Sequence, residues 1–346
     1  MNRLVGSARI AALVCALLVC AFAGAACNGQ PAQGTQPGDH SGPPVTDNDQ
    51  GSESSPAFSG ERGYQLLQHQ CDFGPRVPGS EAHRKCGDWL LGELDRWCER
   101  TEEQAFTHTS GTAFPGRVFQ MRNIIGVVEP AAGMTADTRQ VLLLAHWDSR
   151  PWADQDPDPT KRNEPIPGAN DGASGVAVAL EVARCLSIER APTAVIILLT
   201  DGEDFGRSWD PGLPEYFLGS KYFAGHYGAL DLNPKRGILL DMVGDKTVEI
   251  GREVNGMRAD PVLVEHISQT AAALGEDDVF VDTAYLVSDD HLPLIAAGIP
   301  TVDLIDWREE VTDIYWHTHN DTPDKCSAGA LESVGKVVLK VLREGI

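Results

Sequence analysis

Continuous apolar runs alternate with helical segments along this chain, and this alternation restricts its fold more than any other feature. Runs rich in branched apolar residues predict buried strands over 123–129, 140–146, 193–201, 237–244 and 298–306. Apolar residues at helical spacing predict helices over 80–99, 173–186, 218–227, 259–275 and 329–344. Strands that are apolar throughout are typical of parallel or mixed sheets covered by helices on both faces. We therefore predict one α/β domain with a central, mixed but mostly parallel, twisted sheet flanked by helices.

Residues 1–26 have the character of an export signal. Arg3 and Arg9 precede an apolar run that ends in small residues just before Cys27. A charged start, an apolar middle and a small-residue end are typical of a secretory signal. Cys27 after Gly-Ala-Ala resembles a bacterial lipoprotein processing site, so we predict a lipid on Cys27. Cleavage without lipid attachment is the alternative.

Residues 27–56 predict a flexible linker. Val45 is the only large aliphatic residue between 28 and 56, and Gly, Pro, Ser and Asp are abundant. Such a segment cannot bury enough apolar area to offset the loss of chain entropy on folding. We expect a signal over 1–26, a lipid-anchored linker over 27–56 and the folded domain over 57–346. The protein is then exported and tethered to a bacterial membrane, facing the periplasm or the cell exterior.

The formal charge of −22 argues against nucleic acid as a partner, because phosphates are bound by Lys and Arg. Eight cysteines are present. Those beyond the signal and Cys27 are Cys71, Cys86, Cys98, Cys185 and Cys326. Their number is odd, so at least one is unpaired, and a local disulfide among the first three stays open. No Cys-x-x-Cys is present, which disfavours a thiolate zinc site. We expect a monomer.

Carboxylates and imidazoles lie at the ends of the predicted strands. They are His146, Asp201, Glu203, Asp204, Asp241, Asp289, Asp290, His291, His317 and His319. In sheets of this kind the ligand site lies beyond the carboxyl ends of the strands. Carboxylate oxygens combined with neutral imidazole nitrogens suit Zn²⁺, and a catalytic zinc keeps about three protein ligands and one open position. The sequence therefore predicts a zinc site at one edge of the sheet.

Two short stretches supply the first ligand candidates. In GANDGASG (168–175), glycines around Asp171 let the backbone approach a site closely, although an ordinary Asp-Gly surface turn has the same pattern. In TDGED (200–204), the side chains of Glu203 and Asp204 diverge. Asp204 can then bind metal while Glu203 faces the substrate as a proton shuttle. A solvated loop is the alternative.

Three further stretches carry histidine. His317 in YWHTHND is the better ligand candidate, and His319 is expected close behind the ligands. In SDDHLP, Asp289 is predicted to be part of the site; the alternative, which does not exclude a catalytic role, is that Ser288 or Asp289 caps a helix that follows. His146 and Asp148 are either a ligand with its supporting carboxylate or a buried hydrogen-bonded pair.

The order of these motifs resembles that of the α/β zinc aminopeptidase family. The resemblance covers about 64–345 and includes FGPRVPGS at 73–80. It implies the zinc aminopeptidase-like, phosphorylase/hydrolase-like version of the α/β fold. In the dinuclear aminopeptidases of the family, the matching metal ligands are His146, Asp171 as a bridge, Asp204, Asp241 and His317. The glutaminyl-peptide cyclotransferases (glutaminyl cyclases) hold a single zinc through the residues matching Asp171, Asp204 and His317.

Several stretches look like the cyclase branch, in particular its bacterial members of the animal type. HWDSRPWADQDPDP and PIPGANDGASG are similar to those enzymes. Trp209 stands six residues after Glu203 and Trp316 directly precedes His317, as in cyclases. Asp289 stands where many aminopeptidases have Ser. Asp204 differs from the Glu of animal cyclases, whereas bacterial members also show Glu-Asp.

The cyclase resemblance implies an acyltransferase that binds one Zn²⁺ per chain. It would convert the N-terminal glutamine of peptides and proteins to pyroglutamate and release ammonia. Glu203 would shuttle the proton with Asp241 and Asp289 beside it, while Trp209 and Trp316 line the substrate pocket. The alternative is a dinuclear zinc aminopeptidase that hydrolyses N-terminal residues, in which Glu203 activates a water. A lipid-anchored binding protein with a decayed site is a third, non-enzymatic possibility.

Overall fold

Four parallel strands form the centre of the fold in a computed structural model of the chain. The structure describes residues 54–207, 212, 214–312 and 314–346, with only the backbone of Glu310. The predicted signal, Cys27, the predicted linker up to 53 and Trp209 lie outside these residues. The central strands are β3 (Gln140–His146), β4 (Ala194–Thr200), β5 (Pro234–Asp241) and β8 (Thr301–Ile305). They pair in parallel, and every residue of β3 and β4 is buried.

Two antiparallel strands extend this sheet on one side. β1 (Arg100–Thr109) pairs with β2 (Val118–Val128), and β2 pairs antiparallel with β4. The six-stranded order is β1-β2-β4-β3-β5-β8. A separate two-stranded sheet joins β6 (Ile250–Glu253) to β7 (Phe280–Tyr285) in parallel. The predicted mixed, mostly parallel sheet is confirmed.

Helices cover both faces of the large sheet, as the apolar strands predict. The helices are α1 (Gly60–Asp72), α2 (Glu81–Trp97), α3 (Ala173–Ile188), α4 (Leu218–His226), α5 (Val254–Ala259), α6 (Pro261–Leu274), α7 (His291–Ala296), α8 (Glu309–Thr312) and α9 (Ala328–Glu344). Leu143 of β3 packs in the larger core with α1, α3 and α9. Its neighbours Leu142 and Leu144 point to the opposite core, which contains Phe223 of α4 and Leu294 of α7.

The turn before α3 brings helix and sheet into close contact. Gly168 and Gly172 have φ of 66° and 95°, which disfavours other residues. A Cβ on Gly175 would stand 2.1 Å from the carbonyl oxygen of Leu240 in β5. The glycines of GANDGASG therefore allow α3 to pack directly on the sheet, and Asp171 lies at the edge rather than in a solvated turn.

The five cysteines of the described domain all carry free thiols, so Cys71, Cys86 and Cys98 form no local disulfide. Burial raises the pKa of Cys71 to about 11 and that of Cys86 to about 12. Both thiols are therefore poor nucleophiles at neutral pH. Within residues 54–207, 212, 214–312 and 314–346, no helix combines the length and the apolar character needed to cross a membrane.

Candidate active site

The carboxyl ends of three neighbouring parallel strands carry the polar side chains of the site. His146 is the last residue of β3 and Asp241 the last of β5. Glu203 and Asp204 follow β4, and Asp171 directly precedes the N-terminal turn of α3. All five side chains are buried. The parallel topology thus gathers residues that are far apart in sequence at one edge of the sheet.

Asp171, Asp204 and His317 form a group that could hold a metal ion. One potential ligand atom from each lies within 4.8 Å of the others. The His317 Nε2 atom is 3.2 Å from Asp204 Oδ2 and 3.6 Å from Asp171 Oδ2. These are the three ligands expected from the cyclase resemblance, and the structure brings them together.

The polar atoms of this group fit a cation. Asp171 Oδ2 and Asp204 Oδ2 are buried and accept no hydrogen bond from any described residue. A buried carboxylate oxygen without a partner is costly, and a bound cation removes that cost. Two carboxylates and one imidazole match the donor set of a catalytic zinc site with an open position.

His146 belongs to a second group that shares Asp171. Its Nε2 atom lies 3.1 Å from Asp171 Oδ1 and 3.3 Å from Asp241 Oδ1, and the three residues could also hold a metal ion. The His146 Nδ1 atom is 3.5 Å from Asp148 Oδ1. Burial lowers the pKa of His146, but these carboxylates outweigh burial and raise it well above its usual value. The arrangement provides both a second metal group and a histidine–carboxylate pair.

Glu203 and Asp289 are acids whose surroundings favour the protonated form. Burial raises the pKa of Glu203 well above its usual value, and the charges of Asp204 and Asp289 add to the effect. Burial also raises the pKa of Asp289, with Asp303 and Asp241 adding to it. Buried carboxyl groups that interact in this way share protons and resist being charged at the same time.

Asp289 does not cap a helix. The N-cap of α7 is Asp290, and no side chain provides a capping hydrogen bond there. Asp290 instead accepts hydrogen bonds from Thr200 Oγ1 and Ser220 Oγ. The capping alternative for Ser288 or Asp289 is therefore wrong, and Asp289 Oδ2 is buried without a hydrogen-bond partner in the described domain.

Other polar residues of the predicted cluster have partners away from the ligands. Asp201 lies 2.9 Å from His83 Nε2 and accepts a hydrogen bond from the backbone of Arg122. The His291 Nε2 atom is 3.3 Å from Glu253 Oε2. His319, expected close behind the ligands, pairs with Asp156 at 3.0 Å and is a quarter exposed. These contacts hold loops in place and lie outside both metal groups.

Trp316 forms an aromatic wall next to His317. The two rings stack with centroids 3.6 Å apart, and Trp316 is half-buried. Trp307, which sequence reasoning did not single out, meets Trp316 edge to face at 5.1 Å. Trp209 is not part of the described residues, so its predicted role stays a prediction.

Sequence reasoning also missed two residues that contact the ligands from behind. Arg150 is buried and donates a hydrogen bond from Nη1 to Asp204 Oδ1. Asp154 accepts from the same guanidinium, and its Oδ1 atom lies 3.3 Å from His317 Nδ1. Both residues belong to an irregular loop, where no periodic pattern marks them. Their only signal was their place in the quoted HWDSRPWADQDPDP stretch.

Two of the four described non-glycine residues with positive φ lie at the same edge. His317 has φ of 54°, and Met242, directly after Asp241, has φ of 50°. Residues other than glycine adopt this left-handed region at an energetic cost, and such strain is common at functional sites. These two positions adjoin the candidate ligands, whereas Phe217 and Asp231, which also have positive φ, flank helical segments elsewhere.

Comparison with known proteins places the chain in a family. The pattern of peptidase family M28 matches residues 123–342. A Zn-dependent exopeptidase from Parabacteroides distasonis is 34% identical, with a TM-score of 0.77 over 83% of this chain and 98% of its own. A glutaminyl cyclase from Bacteroides thetaiotaomicron is 32% identical, with a TM-score of 0.77 over 84% and 100%.

A curated relative is more distant. Aminopeptidase YwaD of Bacillus subtilis is 28% identical over 232 residues, which is 65% of this chain and 45% of the relative. This chain therefore spans less than half the length of that relative. The donor atoms, together with the zinc-dependent neighbour, support zinc as the metal. The resemblance to glutaminyl cyclases of the α/β zinc aminopeptidase type is confirmed, and the chain belongs to peptidase family M28.

Proposed function

We propose that this protein is a zinc-dependent glutaminyl-peptide cyclotransferase. It converts the N-terminal glutamine of peptides and proteins to pyroglutamate and releases ammonia. The observation that carries the proposal is Asp289, a buried carboxyl group with an unpartnered oxygen, electrostatically coupled to Glu203 and Asp241. Three acids next to one zinc group suit a reaction that moves a proton from one nitrogen to another.

Asp171, Asp204 and His317 are the residues that would hold the zinc. A zinc ion bound there supplies a Lewis acid that polarises the γ-carboxamide oxygen of the substrate glutamine. The similarity to a glutaminyl cyclase over 84% of the chain supports this assignment.

Glu203 moves the proton. The α-amine nitrogen forms a bond to the γ-carboxamide carbon, and Glu203 takes the proton that this nitrogen loses. The carbon–nitrogen bond of the carboxamide then breaks, and Glu203 returns the proton so that ammonia leaves. A carboxyl group with a raised pKa is suited to both steps. The five-membered ring keeps both nitrogens within reach of one carboxylate.

Asp241, Asp289 and Trp316 support this transfer. A protonated Asp289 can donate a hydrogen bond within the acid cluster and so hold Glu203 in its charged form before the attack. Trp316 provides an apolar wall for the glutamine side chain and excludes water. Exclusion matters because water attacking the same carbon only deamidates the substrate. We assign Trp209 to the same wall from the resemblance.

A dinuclear zinc aminopeptidase is the second candidate function. The observation that favours it is the group of His146, Asp171 and Asp241, which shares Asp171 with the first group. With two metal ions bound, Glu203 would act as the base for a water that hydrolyses the first peptide bond.

Mass spectrometry of peptide products distinguishes the two. The full-length protein, purified in detergent, is incubated with a peptide beginning in Gln and a matched peptide beginning in Leu. The cyclase releases ammonia from the first peptide, leaves its chain intact and does not change the second. Release of the first amino acid from either peptide would show aminopeptidase activity instead. Zinc content gives a second measurement, with one tightly bound ion per chain expected.

Glu203→Gln tests the proton shuttle. The amide cannot accept a proton, so we expect turnover to fall by at least about 100-fold. Zinc content should remain unchanged, because Glu203 is not among the expected ligands. Near-normal turnover of this variant would exclude Glu203 as the base.

A further inference from the structure

Arg150 and Asp154 link two of the three candidate zinc ligands from behind the site. Arg150 donates from Nε to Asp154 Oδ1 at 2.9 Å and from Nη2 to Asp154 Oδ2 at 2.7 Å. The guanidinium is fully buried and the Asp154 side chain is 12% exposed. This two-pronged pair is directed toward the metal group rather than toward solvent.

The first contact sets which oxygen of Asp204 faces the metal group. Arg150 Nη1 donates to Asp204 Oδ1 and also to the backbone oxygen of Asp204 at 3.3 Å. Asp204 Oδ2 accepts no hydrogen bond from the residues described and lies 3.2 Å from His317 Nε2. With one oxygen held by the guanidinium, the other is available to the metal alone.

The second contact orients the imidazole. The Asp154 Oδ1 atom is 3.3 Å from His317 Nδ1, an ion-pair contact to a buried nitrogen that has no hydrogen-bond partner among the described residues, and it lies on the side of the ring away from Nε2. A proton on Nδ1 facing this carboxylate leaves Nε2 unprotonated, as a metal ligand requires.

We propose that Arg150 and Asp154 are positioning residues for zinc, acting as one unit on Asp204 and His317. The pair holds Asp204 as a ligand through a single oxygen and holds His317 with Nε2 toward the metal. Both residues act through the ligands. The inference rests on the zinc-binding part of the proposed function and applies whether the reaction is cyclisation or hydrolysis.

A second buried arginine–carboxylate pair provides a matched control. Arg184 donates to Glu181 at 2.9 and 2.6 Å, and both side chains are at most 1% exposed. This pair lies within α3 and contacts the N-terminal segment at Ser59, away from both metal groups. Breaking this pair should destabilise the fold as breaking the Arg150–Asp154 pair does, but it removes no contact to a candidate zinc ligand.

Zinc affinity of the full-length protein in detergent, measured by competition with a chromogenic chelator, tests the proposal. Asp154→Asn removes the charge next to His317 at nearly constant volume, and we expect the zinc Kd to rise by about 10- to 100-fold. Arg150→Lys keeps the positive charge but cannot donate two parallel hydrogen bonds to Asp154, and it should raise the zinc Kd by about 10-fold. The double variant should lose less than the product of the two effects. Glu181→Gln should lower the melting temperature and leave the zinc Kd unchanged.

Several outcomes overturn the proposal. Wild-type zinc affinity in Asp154→Asn would contradict it, as would an equal loss of affinity in Glu181→Gln. Circular dichroism of the metal-free variants checks that they fold. If Asp154→Asn does not fold, the zinc affinity of Arg150→Lys decides the test. If the wild-type protein binds no zinc, the zinc-dependent part of the proposed function is also rejected. Normal zinc binding by both variants would leave that function standing and reject the positioning role alone.

Discussion

Individual residues at this site violate the usual rule that buried polar atoms are hydrogen-bonded. His146, Asp171, Asp204, Asp241 and Asp289 each bury at least one nitrogen or oxygen that has no hydrogen-bond partner among the described residues. Such atoms are costly in a folded protein unless a ligand or a shared proton compensates them. Five such residues at one sheet edge support the proposal that this edge binds a metal ion and shares protons.

Asp289→Ser tests the role of the third acid. The change gives the sequence found in many aminopeptidases of the family, and it removes a proton-holding carboxyl group from the cluster around Glu203. We expect cyclisation of a Gln peptide to fall by about 100-fold, with zinc content unchanged. Steady-state kinetics of ammonia release measure this effect. The exposed neighbour Ser288 gives the control Ser288→Ala, which should retain full activity, and equal rates in both variants would contradict the role of Asp289.

At the level of elements, Glu215 ties the loop between β1 and β2 to the segment that leads into α4. It accepts hydrogen bonds from the backbone N–H groups of Gly111, Thr112 and Ala113 and lies 2.7 Å from His108 Nε2. The loop after β4, which carries Glu203 and Asp204, ends in this segment. Glu215 therefore anchors one side of the loop that bears the reactive acid.

Glu215→Gln should change how the free energy of unfolding depends on pH. Burial raises the pKa of Glu215, but the hydrogen bonds from Thr112, Ala113, His108 and Gly111 outweigh it and lower the pKa well below its usual 4.5. The stabilisation is then fully present above pH 4.5 and is lost as the pH falls below it. At pH 7 we expect the variant to lose about 2–3 kcal/mol, since hydrogen bonds to a charged group are removed.

Urea unfolding at pH 7 and at acidic pH measures this effect. The difference between wild type and variant should shrink in acid, because the unfolded wild type then binds a proton at Glu215 while the folded state still holds the charged form, which reduces the stability gained from that charge. The exposed Glu81, which pairs with Lys85 on the surface of α2, gives the control Glu81→Gln with no measurable change. A difference that stays constant with pH would show that charge is not the source of the stabilisation.

At the level of the whole molecule, the predicted tether would determine where the protein meets its substrates. The predicted signal, the lipidated Cys27 and the polar linker would hold the domain outside the cytoplasm, where the N-termini of exported peptides are found. We propose that it acts there as a monomer on Gln N-termini. Its charge of −22 also disfavours binding to anionic partners.

Cys27→Ser tests the tether in whole cells. Lipid attachment needs the cysteine thiol, so the wild-type protein should fractionate with membranes and enter the detergent phase, whereas the variant should be soluble. Labelling with a fatty-acid analogue gives an independent measurement. Cys98→Ser is the matched control and should behave like wild type. A wild-type protein that remains in the aqueous phase would contradict lipidation and favour cleavage alone.

The central elements could be predicted because their signals are local and strong. The strand 140–146 agrees with β3 at both ends, and the helices at 173–186 and 329–344 agree with α3 and α9 to within two residues. The edge strand β1 and the small β6–β7 sheet were not predicted. β1 contains only two apolar residues, the adjacent Ala105 and Phe106, and no residue of β7 is buried, so neither has the continuous apolar run that marks a central strand.

By itself the sequence determined the order of strands and helices and the kinds of side chain at the strand ends, because hydrophobic periodicity and residue chemistry are local properties. Only the tertiary structure decided which of those side chains face one another. It brings His317 to Asp171 and Asp204, separates Asp201 and His319 from them, and sets Arg150 and Asp154 behind the ligands. These contacts are between residues of separate strands and loops. They depend on long-range packing, which a local sequence pattern does not determine.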